Sequence, residues 1–216
     1  MGPSSRSLSD LRFGALLVYS PDGVEEASRR SAKAVADIKN CLPDYIARIA
    51  LRFEEAVGDG KFRQFLGNDV VLVPAPRSAP FKSKDAAWPA RQICDALASR
   101  GLCATVEDWL ERHTTVKKSA LTRKGTERPG PDQHAATLRC GDVLAPPPAR
   151  ITIVDDVVTR GATLLGCARV IAARFPETEV RALAVVRTMS KQEIQSMLAP
   201  VEGRIWVQNG MPRREP

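Results

Sequence analysis

Ile151-Thr-Ile-Val-Asp155-Asp-Val-Val-Thr-Arg160-Gly-Ala-Thr163 is the stretch whose reading decides the fold. It opens as a buried strand, because Ile151, Ile153 and Val154 are β-branched and apolar. Asp155 and Asp156 stand where that strand is expected to end, and a short loop of hydroxyls and small residues follows. Leu164, Ala168, Ile171 and Phe175 then recur at helical spacing and predict a helix with one apolar face. In a strand–loop–helix unit of this kind, the small residues let backbone approach an anion. The N–H groups that open the helix point at that anion, and Arg160 adds positive charge. Adjacent carboxylates suit the paired 2- and 3-hydroxyls of a ribose, since anionic acceptors bond strongly to such donors. The loop that follows suits the 5-phosphate of the same sugar. Together they predict a ribose-phosphate site at the carboxyl end of a sheet, where open α/β sheets bind ligands.

Val154-Asp-Asp-Val-Val-Thr-Arg-Gly-Ala-Thr163 resembles the phosphoribosyl-pyrophosphate (PRPP) signature of the type I phosphoribosyltransferases. Within them the chain most resembles the ComF-like branch related to amidophosphoribosyltransferases. The resemblance is strongest over 150–188, weaker over 69–145 and loosest before that. It implies an α/β fold of the type I kind: a central, mostly parallel sheet flanked by helices, with a small hood region. It also implies Mg²⁺–PRPP as ligand, with phosphoribosyl transfer to a nitrogen acceptor and release of pyrophosphate. Asp155 and Asp156 take the catalytic places and hold Mg²⁺, directly or through water. Thr159, Arg160, Gly161, Ala162 and Thr163 take the 5-phosphate.

Rival readings of the motif fail on context. A receiver-domain acid pocket lies near its domain's start, whereas about sixty residues remain here after the acid pair. A nucleotide triphosphatase needs Gly-x-x-x-x-Gly-Lys-Ser/Thr, which does not occur.

The 216 residues suffice for one α/β domain with a substantial core. No apolar run is long enough to cross a membrane, and the N-terminus has no signal-peptide core. The formal net charge of +7 fits a polyanionic ligand. Low aromatic content argues against a base-stacking surface, so a small phosphorylated ligand is favoured over nucleic acid. Five scattered cysteines form no Cys-x-x-Cys pair, which points away from zinc and disulfides and toward a reducing cytoplasm. ComF-like proteins often carry a zinc-binding segment that this sequence does not show.

Along the chain, residues 1–12 read as a disordered N-terminus and Gly14–Tyr19 as a strand. Helices are expected from about Val24 to Asn40 and from Pro43 to Gly58. By the resemblance, 13–68 forms the hood region. Asp69–Pro74 is a buried strand that opens the 69–209 core and runs into a Pro-punctuated loop. In type I transferases that loop meets the pyrophosphate, which makes Arg77 and Ser78 candidates, with Lys82 and Lys84 nearby. The Arg-Gly-Phe-Asn-Gln run common there in ComF-like proteins is missing.

A helix over 85–100 and a strand over 102–106 are expected next, then an irregular stretch over 111–148. The family's flexible loop falls in that stretch and makes Lys117, Lys118 and Arg123 candidates. His113 and His134 have no partner at metal-ligand spacing and read as loop residues, with His134 near the site as the alternative. Beyond the motif helix come a strand over 179–186, a short helix over 191–198, a last edge strand over 204–208 and a loose tail over 210–216.

The leading expectation is a PRPP-dependent enzyme. The alternative is a non-catalytic PRPP or nucleotide sensor, linked to nucleic acid as ComF-like proteins are to DNA uptake. The resemblance also implies a homodimer. The acceptor is not legible.

Overall fold

The computed structural model describes residues 8–80, 87–116, 129–143, 146–190 and 192–216. The chain opens with β1 (Asp10–Tyr19), followed by α1 (Glu26–Lys39) and α2 (Pro43–Gly58). β2 (Gly67–Pro74), α3 (Pro89–Ala98) and β3 (Cys103–Val106) come next. The middle of the chain holds β4 (Leu110–Arg112), α4 (Pro131–Ala135) and β5 (Leu138–Cys140). Then come β6 (Arg150–Val158), α5 (Ala162–Arg174), β7 (Glu179–Thr188), β8 (Leu198–Gln208) and β9 (Met211–Glu215).

Seven strands form one sheet in the order β3-β2-β6-β7-β1-β8-β9. The first five are mutually parallel, and β8 and β9 extend the sheet antiparallel beyond β1. This is the expected α/β architecture. The central strands are apolar on both faces because helices cover both. Ile38, Ile46, Ile49, Phe53, Ile93 and Leu97 from α1, α2 and α3 pack on one face, around a Phe53–Phe62–Phe65 edge-to-face cluster. Leu164, Leu165, Ala168, Ile171 and Phe175 from α5 pack on the other, against Ile151, Ile153 and Phe13. β4 and β5 pair separately as a two-stranded antiparallel sheet.

Several expectations need correction. β6 does not stop at the acid pair, because its ladder with β7 continues through Val157↔Val186 and Val158↔Arg187. β1 starts at Asp10, not Gly14, because β8 pairs with it from that residue. It also lies inside the main sheet, between β7 and β8, rather than in a hood. The expected irregular stretch over 111–148 contains α4, β5 and the end of β4.

The segment 192–197 is not helical, because its polar groups serve other elements. The Glu193 carboxylate accepts from Val24 N–H at 2.7 Å and Ser28 Oγ at 2.8 Å, closing the start of α1. The Met197 carbonyl accepts from Val18 N–H at 2.9 Å. The tail expected to be loose is β9. Asn209 and Gly210, with φ of 51° and 73°, turn β8 back into it. The edge strand is therefore β9 and not 204–208.

Candidate functional site

The site forms where β6 meets α5. Gly161 caps α5 with φ 88°, a left-handed conformation that glycine adopts without strain. A Cβ there would also come within 2.6 Å of Ile205 on β8, so the loop is seated directly on the antiparallel extension of the sheet. No side chain caps this helix start. Its first N–H groups are left for an outside acceptor.

Beneath that helix start is a hollow of about 40 Å³. Asp155, Val157, Val158, Thr159, Gly161, Ala162, Thr163 and Leu164 line it, with His134 from α4. Asp155 and four of the five expected phosphate-loop residues thus share one cavity. Arg160 is exposed and is not among the lining residues.

The acid pair is held by its own backbone. Asp156 N–H donates to Asp155 Oδ1 at 2.9 Å, and Val157 N–H donates to Asp156 Oδ1 at 2.8 Å. Burial first, and the neighbouring Asp156 carboxylate second, push Asp155 well above the usual carboxylate range. Asp156 lies within electrostatic reach of the Cys41 thiol at the α1–α2 corner, and so does Arg77. Cys41 itself has φ 55°, and its thiol is raised, chiefly by burial. Arg77 and Asp156 therefore face one common neighbour.

Arg77 and Ser78 do not line the hollow. They follow β2, whose Pro74 pairs with Val154, so their loop starts beside the acids. The Arg77 carbonyl accepts from Arg112 Nε at 2.5 Å, and the Ser78 carbonyl accepts from Val116 N–H at 2.9 Å. Lys117, Lys118 and Arg123, together with Lys82 and Lys84, lie outside the described residues.

Sequence reasoning missed Arg112 here and had His134 near the site only as the alternative to a loop residue. Arg112, 3% exposed, donates to Thr137 Oγ1 as well as to the Arg77 carbonyl, and so ties the β2–α3 loop to the segment after α4. Burial lowers its pKa, while Cys167 and Asp155 oppose that shift. His134, 7% exposed, has no partner for Nδ1, and burial and then Arg112 depress it to about 4. It is therefore a neutral imidazole. α4 presses His134 against α5 at Gly166, where a Cβ would come within 2.7 Å of His134 Cβ. Pro131 at the first helical turn was a local signal for α4. Nothing local in the sequence places its histidine against the loop.

Among the described residues no group of three or more His, Cys, Asp or Glu side chains could hold a metal ion. No described helix is long and apolar enough to cross a membrane.

No protein-family model and no curated protein matches the chain. Among solved structures, the chain is similar to a hypoxanthine phosphoribosyl transferase of Trypanosoma cruzi at 13% identity. That alignment covers 75% of this chain and 71% of the other, with a TM-score of 0.34. A likeness at this level adds nothing to what the topology and the site themselves support.

Proposed function

We propose that this chain is a phosphoribosyltransferase-type protein that binds Mg²⁺–PRPP and transfers its phosphoribosyl group to a nitrogen acceptor. The observation that carries the reading is the shared hollow: Asp155, Thr159 and Gly161–Thr163 meet around an uncapped helix start at the carboxyl end of β6. A phosphate seated there meets the N–H groups opening α5 and the Thr163 hydroxyl. Asp155 and Asp156 then accept from the 2- and 3-hydroxyls of the ribose.

The two carboxylates fit a Mg²⁺ ion held mostly by pyrophosphate oxygens and water, because magnesium keeps several waters and uses few protein ligands. Asp155 and Asp156 would hold its inner or outer shell, and the ion would neutralise charge on the leaving pyrophosphate. The bond from C1 to the pyrophosphate oxygen breaks with its electron pair on that oxygen. The acceptor nitrogen supplies the pair for the new bond to C1 and gives up its proton. Positive charge that develops on the sugar ring is met by the acid pair, so the protein works by placement and electrostatics. Arg77 and Ser78 follow the strand beside the acids and would meet the pyrophosphate. Residues 117–128, between β4 and β5, include Lys117, Lys118 and Arg123, which would cover it.

Calorimetric titration of Mg²⁺–PRPP tests the reading. The wild type should bind, and Asp155→Asn/Asp156→Asn should not. A folded wild type that fails to bind rejects the proposal. Binding without pyrophosphate release across a screen of amine and base acceptors would move the function to a sensor.

A further inference from the structure

The next-to-last residue of β7 is Arg187, which is only 8% exposed. It sits in register with Val158, the residue before the phosphate loop, and with Val18 on the other side. Its Nη1 donates to Met189 Sδ, and its Nε has no partner. Arg214, on β9, lies beside it with its guanidinium 5.5 Å from the Phe13 ring centre. Arg214 Nε donates to the Thr159 carbonyl at 2.9 Å and Nη2 to the Thr188 carbonyl at 2.9 Å, while Nη1 donates to a Pro216 oxygen.

Arg214 is lowered to about 10, by burial and then by Arg187. Arg187 is lowered by burial alone. Arg112, 3% exposed, is held by a carbonyl and a hydroxyl rather than by an acid, whereas three other arginines meet acids. Arg150 pairs with Asp69, Arg169 with Asp132 and Arg181 with Glu179. Among the described residues no Asp or Glu side chain forms an ion pair with Arg187 or Arg214. A guanidinium withdrawn from water without a counter-ion is destabilising, and of the two Arg187, with its Nε unpartnered, is the one so placed, while Arg214 reaches the Pro216 oxygen. This pair abuts the first residue of a loop built to receive an anion.

We propose that Arg187 and Arg214 form the positive floor of the phosphate loop, with the bound phosphate supplying the counter-charge that Arg187 lacks and Arg214 positioning the loop through the Thr159 carbonyl. This rests on the phosphate reading of 159–163. Both are positioning residues, acting behind the loop rather than on the reacting atoms.

The test compares wild type, Arg187→Met and Arg187→Lys, titrated with ribose 5-phosphate and melted with and without it. Arg187→Met should melt no lower than wild type without ligand, because it fills the space and removes an uncompensated charge. It should bind ribose 5-phosphate about tenfold more weakly, because one of the two cations behind the loop is gone. Arg187→Lys should restore affinity to within about threefold of wild type. Unchanged affinity in Arg187→Met overturns the proposal. So does a loss that lysine fails to rescue together with a lower melting temperature, because that pattern marks a merely structural side chain. Arg187→Gln serves as a second neutral variant, and unfolding of both neutral variants likewise rejects the role. Failure of the folded wild type to bind ribose 5-phosphate at all rejects the phosphate loop itself, and is seen before any variant is compared.

Discussion

The β6–α5 unit and the β8–β9 hairpin lie on either side of the same loop and are built on opposite principles. β6 is buried on both faces between parallel neighbours, so its apolar run is nearly continuous. β8 is half-exposed, carries Pro200 and Gly203, and buries only Ile205 completely. The first unit supplies the groups that face the hollow. The second supplies what lies under the loop, with Ile205 against Gly161 and Arg214 on the Thr159 carbonyl. One region lines the hollow and the other supports the loop from behind, so the first announces itself by residue type and the second does not.

The hardest test of this division is the acid pair. Asp155→Asn/Asp156→Asn should abolish pyrophosphate release from PRPP while the protein stays folded, and full activity would remove the β6–α5 unit from the chemistry. The sign of the stability change is also set. Asp155 is raised in the folded state, so its ionisation destabilises the fold as pH rises above the unfolded carboxylate value. Asp155→Asn should therefore melt higher than wild type at neutral pH.

Gly161→Ala probes the seam between the two regions. The left-handed φ and the 2.6 Å approach to Ile205 together predict a loss of about 3–5 kcal/mol in urea unfolding. Ile205→Ala in the same chain should recover part of it. Strict additivity of the two substitutions would mean that the hairpin does not support the loop.

His134 tests the side of the site contributed by α4. Its folded pKa of about 4 lies below the unfolded value, so its contribution is intact above about 6.5 and is lost as pH falls toward 4. A depression of this size corresponds to about 3 kcal/mol lost in acid. His134→Gln should flatten stability against pH in that window, and an unchanged profile would show that the imidazole is not buried as described.

The smallest effect is at Glu193, whose carboxyl is depressed first by the Val24 N–H and then by Ser28. Glu193→Gln should lower the melting temperature slightly at neutral pH. The difference should vanish as pH falls through the folded carboxyl's range, since protonation removes the same acceptor.

Legibility followed how local each signal was. α2, opened by Pro43 and closed after Gly58, was readable because its start, its stop and its apolar face lie in one window. The segment 192–197 was misread as helix because its polar groups are committed to α1 and β1, far away in the chain. Asn209-Gly210 was a usable hairpin signal, but the polar residues after it suggested a tail. At the site, the acids and the loop hydroxyls are adjacent in sequence and could be named together. Arg112, His134, Arg187 and Arg214 could not, because they come from four elements that meet only in the folded chain.

By itself, then, the sequence determined the α/β class, the strand–loop–helix unit and the acid and hydroxyl residues of the hollow. Each of these follows from periodicity and residue type within about a dozen positions. Tertiary structure alone decided which side chains close that hollow from α4, which strand lies under Gly161, and which cations stand behind Thr159. Those relations depend on strand order, and the placement of β8 and β9 beside β1 is decided by packing across the whole chain.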